Sequence, residues 1–141
     1  MAQAGDTLVN RYILQDRLGA GAAAEVWRAT DQRLGRTVAI KILRPQYVSD
    51  AEARERFERE AKAAAGLSHP NVVDVYDYGA VDGTVFIAMQ YVDGEDLKRT
   101  IAARGRLTGP DAARIALAVC QGLEAAHAHG MSSSSRAAGQ R

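Results

Sequence analysis

The chain has 141 residues, of which 47% are hydrophobic and 25% charged, a balance typical of a globular protein and not of a disordered one. Its 18 basic and 17 acidic residues leave a net charge of +1, which argues against a nucleic-acid partner or an anionic membrane surface. The single cysteine, Cys120, cannot form an intrachain disulfide, and no stretch approaches the roughly 20 apolar residues of a membrane-spanning segment. Residues 1–6 also lack the pattern of a signal peptide, so we expect a cytoplasmic protein.

Five segments have the alternating or β-branched pattern of strands and are bounded by turn residues. They cover residues 12–18, 26–30, 37–43, 72–78 and 84–90. Because the connections between the first three are short, these strands are expected to form an antiparallel meander.

A helix is predicted between the third and fourth strands. Ser49 and Glu52 have the S-x-x-E spacing of a capping box, which predicts a helix over residues 50–65 that ends at Gly66.

Two further helices are expected near the end of the chain, over residues 95–104 and from the potential cap Thr108 to Gly130. Apolar residues recur at helical spacing along the second one: Ala112, Ile115, Val119, Leu123 and Ala126. Residues 132–141 begin with four serines and are expected to be a disordered tail.

The segment 19–24 is rich in glycine and alanine, and glycine lets the backbone approach phosphate oxygens closely. By itself this pattern also fits a flexible turn. A Rossmann dinucleotide-binding unit needs a helix after the glycines and an acidic residue at the end of the next strand. Here Val26 and Trp27 favour a strand and the next strand ends at Arg44-Pro45, so the Rossmann unit is the least favoured alternative.

Lys41 is the only charge in an apolar strand, and a buried ammonium group needs a partner or a ligand. Glu60 lies on the same predicted helical face as Ala53, Phe57 and Ala64 and is therefore expected to point inward. We expect Lys41 and Glu60 to form an ion pair, either in a functional site or as a purely structural contact.

Several motifs occur in a fixed order along the chain. They are Leu18-Gly19-Ala20-Gly21, Glu25-Val26, Val38-Ala39-Ile40-Lys41, Glu60, and the segments 68–73 (SHPNVV), 89–94 (MQYVDG) and 125–130 (AAHAHG). Together, over residues 10–131, they resemble the N-terminal lobe and first C-lobe helices of bacterial Hanks-type serine/threonine protein kinases.

The resemblance implies an α+β fold, in which a five-stranded antiparallel sheet and one αC-like helix form a kinase N-lobe, followed by two helices of an incomplete C-lobe. It divides the chain into an N-terminal extension (1–11), the N-lobe and hinge (12–92), a partial C-lobe (93–131) and a tail outside the family pattern (132–141).

The resemblance also implies an ATP site. The expected ATP-contacting residues are Leu18, Gly19, Ala20, Gly21, Ala22, Ala23, Ala24, Glu25, Val26, Ala39, Lys41, Met89, Gln90, Val92 and Asp96. Lys41, steadied by Glu60, would hold the α- and β-phosphates under the glycine-rich loop. Leu18, Val26 and Ala39 would line the adenine, with Met89 as gatekeeper. Backbone groups of Gln90 and Val92 would hydrogen-bond the base, and Asp96 would contact the ribose.

The sequence departs from the family pattern at two positions, one in the glycine-rich loop and one in the hinge. Ala24 replaces the third glycine of the loop, and Gln90 stands where glutamate is common. Both are expected to be tolerated, because the loop segment is a strand and the hinge acts through backbone atoms.

The family's catalytic residues have no counterpart in this sequence. It contains no Arg-Asp or Asp-Phe dipeptide, so the catalytic aspartate and the metal-binding aspartate are both missing and no metal ligand is predicted. We expect Mg²⁺ to be used only by an intact parent. The change to serine-rich sequence after Met131 is interpreted as a frameshift, a gene fragment or an assembly error.

The predicted function is that of the ATP-binding portion of a protein serine/threonine kinase, inactive as the isolated chain. Its expected partners are ATP and, for an intact parent, protein substrates. The apolar face of the last helix is expected to bind a partner or to aggregate. The alternative is a non-catalytic nucleotide-binding or interaction module.

Overall fold

The computed structural model describes residues 1–130, so the predicted disordered tail lies outside the described residues. The strands are β1 (Thr7–Leu8), β2 (Tyr12–Ala20), β3 (Ala24–Asp31), β4 (Arg36–Leu43), β5 (Val75–Val81) and β6 (Thr84–Gln90). The helices are α1 (Pro45–Val48), α2 (Ala51–Ala65), α3 (Leu97–Arg104) and α4 (Gly109–Ala128). All the strands belong to one antiparallel sheet in the order β1-β2-β3-β4-β6-β5.

The five predicted strands are confirmed, although the one predicted over residues 72–78 lies at Val75–Val81, and residues 1–11 add a sixth. β1 pairs with β2 through Thr7 opposite Ile13 and Leu8 opposite Tyr12. The turn between them places Val9 at a φ of 47° and Asn10 at 55°, a left-handed conformation that a β-branched residue rarely adopts. A two-residue strand that precedes a turn without glycine leaves no periodic signal in the sequence.

Alternation along the strands divides the core between the two faces of the sheet. One face buries a cluster of large side chains: Tyr12, Leu14, Trp27, Ala29, Val38, Ile40, Ile42, Phe86 and Ala88. The other face packs against α2 through Ala24, Leu43, Phe57, Ala61, Val85 and Ile87. The sheet therefore has its own apolar layer and also fixes the position of α2.

The predicted cap of α2 is wrong by one residue. Asp50 is the N-cap, and its carboxylate accepts hydrogen bonds from the backbone N–H groups of Glu52 (3.1 Å) and Ala53 (3.2 Å). Ser49 cannot take this role because it ends α1, with helical angles of φ −86° and ψ −7°, whereas an N-cap is extended. A carboxylate also interacts favourably with the positive end of the helix dipole.

The two helices after the sheet begin at capping side chains. Asp96 accepts a hydrogen bond from the Arg99 N–H (2.8 Å), and Thr108 accepts one from the Asp111 N–H (3.2 Å), so the Thr108 cap is confirmed. No helix within residues 1–130 is long and apolar enough to cross a membrane.

Contact between α4 and the rest of the fold is confined to a few residues. Asn71, in the loop after α2, donates hydrogen bonds to the Ala118 carbonyl (3.0 Å) and to the Gln121 side chain (3.2 Å). Leu117 and Val119 remain 60% and 37% exposed. Much of the apolar surface of α4 therefore faces outward.

Gly79 allows close packing between β5 and β6. It lies opposite Phe86, and a Cβ atom at position 79 would be 2.4 Å from Phe86 Cε1 and 2.5 Å from Cζ. Because Phe86 is only 1% exposed, its ring has little room to move.

We therefore expect Gly79→Ala to lower the free energy of unfolding by about 1–3 kcal/mol, the usual cost of overpacking a core. Urea denaturation of the two proteins measures the difference. Gly109→Ala is the matched control, because nothing lies within 4 Å of its added Cβ. Equal stabilities of Gly79→Ala and the parent chain would contradict the packing argument.

A buried ion pair closes one end of the sheet. Arg11 donates two hydrogen bonds of 2.9 Å to the two carboxylate oxygens of Asp31, which is 1% exposed. The backbone N–H groups of Arg33 and Leu34 also donate to Asp31. The Arg11 guanidinium, with help from these N–H groups, lowers the pKa of Asp31 from 3.8 to about 2.

This pKa predicts an acid-dependent loss of stability. The lowered folded-state pKa stabilises the fold fully above pH 3.8, and this contribution is lost as the pH falls towards about 2. We expect the free energy of unfolding to fall with pH in this window, and to fall less steeply in Asp31→Asn, which has no carboxylate to protonate. Urea denaturation at stepped pH compares the slopes, and parallel slopes would contradict the assignment.

Candidate functional site

The glycine-rich segment forms the tip of the β2–β3 hairpin. Gly19 lies opposite Val26 and Ala20 opposite Glu25, while a register irregularity between Arg17 and Gly19 displaces Leu18 from the regular pairing. The Gly21 N–H donates a hydrogen bond to the Ala24 carbonyl (2.8 Å) and closes the turn. Residues 19–23 are exposed, so this tip projects from the sheet.

Neither of the two loop glycines is required by the fold of the chain itself. Neither has the positive φ that favours glycine. A Cβ at Gly19 would meet nothing within 4 Å, and one at Gly21 would only touch the Ala24 carbonyl oxygen at 3.6 Å. The missing side chains therefore leave an open backbone surface that a ligand can approach closely.

Lys41 and Glu60 form the expected ion pair. The distance from Lys41 Nζ to Glu60 Oε1 is 2.9 Å, and their side chains are 18% and 25% exposed. Lys41 Nζ also lies 5.8 Å from the centre of the Phe57 ring. β4 supplies the lysine and α2 supplies the glutamate, so the pair spans the contact between sheet and helix.

The pairing of strands places Val26, Ala39 and Met89 on the face of the sheet that carries Lys41. Val26 is the cross-strand neighbour of Lys41, and Ala39 is the neighbour of Met89. Ala39 is 6% exposed, and Met89 packs against the core cluster beside α2. The result is an apolar surface next to one ammonium group.

Of the remaining predicted residues, Ala24 and Glu25 are buried, at 8% and 4% exposure, whereas residues 18–23 and Val92 are exposed. Leu18 is 38% exposed and Val92 60%. The Gln90 N–H donates to the Asp74 carbonyl (2.8 Å), and the Gln90 side-chain oxygen accepts from the Asp74 N–H (3.1 Å). The Gln90 N–H is thus already engaged by Asp74. Asp96 is occupied as the cap of α3.

Two arginines near the hairpin were not identified from the sequence. Arg44 donates hydrogen bonds from Nε (3.1 Å) and Nη2 (2.9 Å) to the Gly21 carbonyl. Arg17 Nη1 lies 3.9 Å from Glu25 Oε2, and Glu25 is only 4% exposed. Neither contact leaves a local signal in the sequence. The Arg44 contact depends on where β4 ends, and the Arg17 contact depends on the register between β2 and β3.

The geometry rules out the Rossmann alternative. The segment after the glycines is strand β3, antiparallel to β2 and β4, whereas the Rossmann unit places a helix there and then a parallel strand. Across residues 1–130, no group of three or more His, Cys, Asp or Glu side chains could hold a metal ion.

Comparison with known proteins identifies the family. Residues 12–132 match the model of the protein kinase domain. The chain is 39% identical over 132 residues to the serine/threonine-protein kinase PknA of Mycobacterium tuberculosis, covering 90% of this chain and 31% of PknA. It is 42% identical over 125 residues to the serine/threonine-protein kinase PrkC of Bacillus subtilis, covering 89% of this chain and 19% of PrkC.

A solved kinase domain has the same fold. The crystal structure of the Mycobacterium tuberculosis PknI kinase domain superposes with a TM-score of 0.78 at 35% identity, covering 93% of this chain and 53% of that one. The chain thus spans about half of a solved kinase domain and a third or less of these curated relatives. It belongs to the protein kinase family, in its bacterial Hanks-type serine/threonine branch.

Proposed function

We propose that this chain is the ATP-binding part of a protein serine/threonine kinase domain. The observation that carries the proposal is the Lys41–Glu60 pair, placed on the same face of the sheet as Val26, Ala39 and Met89. A half-buried ammonium group beside an apolar surface suits a ligand with an apolar ring at one end and phosphates at the other.

Each part of the site has a role in binding. The Glu60 carboxylate holds Lys41 Nζ in place, so that the ammonium group can donate to the α- and β-phosphates. The open backbone of Gly19 and Gly21 gives the phosphates access to N–H groups at the hairpin tip. The small side chain of Ala39 leaves room for the adenine ring beside Met89.

Transfer of the γ-phosphate needs groups outside this set. In an intact kinase, Mg²⁺ would supply positive charge at the phosphates, and an aspartate would orient the hydroxyl of the protein substrate. The donor set between residues 1 and 130 does not fit Mg²⁺, and the 141 residues contain no Arg-Asp or Asp-Phe dipeptide. We therefore propose that the isolated chain binds ATP and does not transfer phosphate.

A non-catalytic interaction module is the second candidate. The observation in its favour is the outward apolar surface of α4, where Leu117 is 60% exposed. An interaction module needs no nucleotide, so a measurement of ATP binding distinguishes the two candidates. ATP binding favours the first.

We expect Lys41→Met to weaken ATP binding about 10- to 100-fold, because hydrogen bonds to a charged group contribute about 1.5–3 kcal/mol and each 1.4 kcal/mol is a factor of ten. Methionine keeps the length of the side chain and removes the charge. Isothermal titration calorimetry with ATP measures both dissociation constants.

Lys62→Met is the matched control, because Lys62 is 76% exposed and pairs with Glu58 on the outer side of α2. It should bind ATP like the parent chain. If the parent chain binds no ATP, or if both variants lose affinity equally, the proposed site is wrong. Phosphate transfer to a protein by the isolated chain would contradict the proposal of binding without catalysis.

A further inference from the structure

Arg44 contacts the tip of the glycine-rich hairpin from the end of β4. Its guanidinium group donates from Nε and Nη2 to one acceptor, the carbonyl oxygen of Gly21, at 3.1 and 2.9 Å. Its backbone N–H donates to the Ala23 carbonyl at 2.8 Å. Among the described residues, no other side chain donates a hydrogen bond to residues 21–23.

This contact fixes the orientation of one peptide group. The peptide between Gly21 and Ala22 is planar and trans, so its C=O and N–H groups point in opposite directions. With the carbonyl directed at Arg44, the Ala22 N–H points away from Arg44. Within the described part of the chain, this N–H has no hydrogen-bond acceptor.

The same peptide would otherwise rotate easily. Glycine has a wide range of accessible backbone angles, and a Gly21 carbonyl released from Arg44 could turn to the side where the Ala22 N–H now lies. A carbonyl oxygen on that side repels phosphate, whereas an N–H group attracts it.

We infer that Arg44 is a positioning residue that holds the Gly21–Ala22 peptide with its N–H directed to the nucleotide phosphates. This inference rests on the proposed function. Arg44 acts through the backbone of the hairpin and does not itself touch the nucleotide. The planar guanidinium group suits this role, because it presents two N–H donors in a fixed geometry.

The test compares two variants of the full chain, Arg44→Ala and Arg44→Lys, with the parent chain. We expect Arg44→Ala to weaken ATP binding about fivefold to tenfold, since it removes a charge-assisted contact that orders the loop. Adenosine has no phosphates, so its affinity should be unchanged. Arg44→Lys should restore ATP affinity to within about threefold of the parent, because an ammonium group can donate to the same carbonyl.

Amide hydrogen exchange without nucleotide provides a second measurement. In Arg44→Ala, exchange should become faster at Gly21, whose N–H closes the hairpin turn. A direct attraction between Arg44 and phosphate would lower ATP affinity without altering this exchange. Arg56→Ala is the charge-matched control, because Arg56 is 73% exposed on α2.

The outcomes distinguish this inference from the proposed function. A parent chain that binds neither ATP nor adenosine overturns the proposed function and the inference with it. Suppose instead that the parent chain binds ATP and that Arg44→Ala has the same ratio of ATP affinity to adenosine affinity as the parent. This result overturns the inference alone. Tighter ATP binding by Arg44→Ala also overturns it, because the contact would then oppose nucleotide binding. Loss of ATP affinity with unchanged exchange at Gly21 overturns the positioning role.

Discussion

The contact between Lys41 and Glu60 is the constraint on which the arrangement of the lobe depends. An ammonium group on an apolar strand is costly to bury without an opposite charge, and here the charge comes from α2 across a distance of 2.9 Å. The glutamate reaches the lysine because Phe57 and Ala61, on either side of it in sequence, are buried against the sheet. The same apolar packing that positions the helix therefore positions the carboxylate.

Strand alternation links this pair to the rest of the core. In β4, Ile40 and Ile42 enter one apolar cluster, while Ala39 and Lys41 face the candidate site on the other side of the sheet. Buried side chains on both faces fix the strand register, since a shift of one residue would place Lys41 in the apolar cluster. The face that carries the candidate site is thus determined by the packing of the opposite face. Packing on both faces of the sheet therefore brings Lys41 of β4 and Glu60 of α2 within 2.9 Å of each other, although they are far apart in sequence.

Local signals in the sequence were sufficient for the elements that carry this core. Alternating and β-branched residues predicted five of the strands, and Thr108 predicted the start of α4. The inward direction of Glu60 followed from its helical spacing to Phe57. The cap of α2 was misplaced because Ser49 and Asp50 are both good capping residues, and only the end of α1 decides between them. Contacts between strands, such as Arg44 with Gly21 or Phe86 with Gly79, depend on strand register and leave no local pattern.

Holding a nucleotide and transferring its phosphate make different demands on a protein. The groups proposed to hold ATP lie on one sheet and one helix, and their positions follow from packing within residues 1–130. Transfer also requires a metal ion and an oriented hydroxyl, and in this family both depend on aspartates in Arg-Asp and Asp-Phe motifs that this sequence does not contain. This chain covers 53% of the solved PknI kinase domain. In the proposed site, nucleotide affinity depends on how well β3, β4 and α2 pack, because Glu60 on α2 holds Lys41. A core substitution that displaces α2 should therefore weaken ATP binding through Glu60 without touching the ligand.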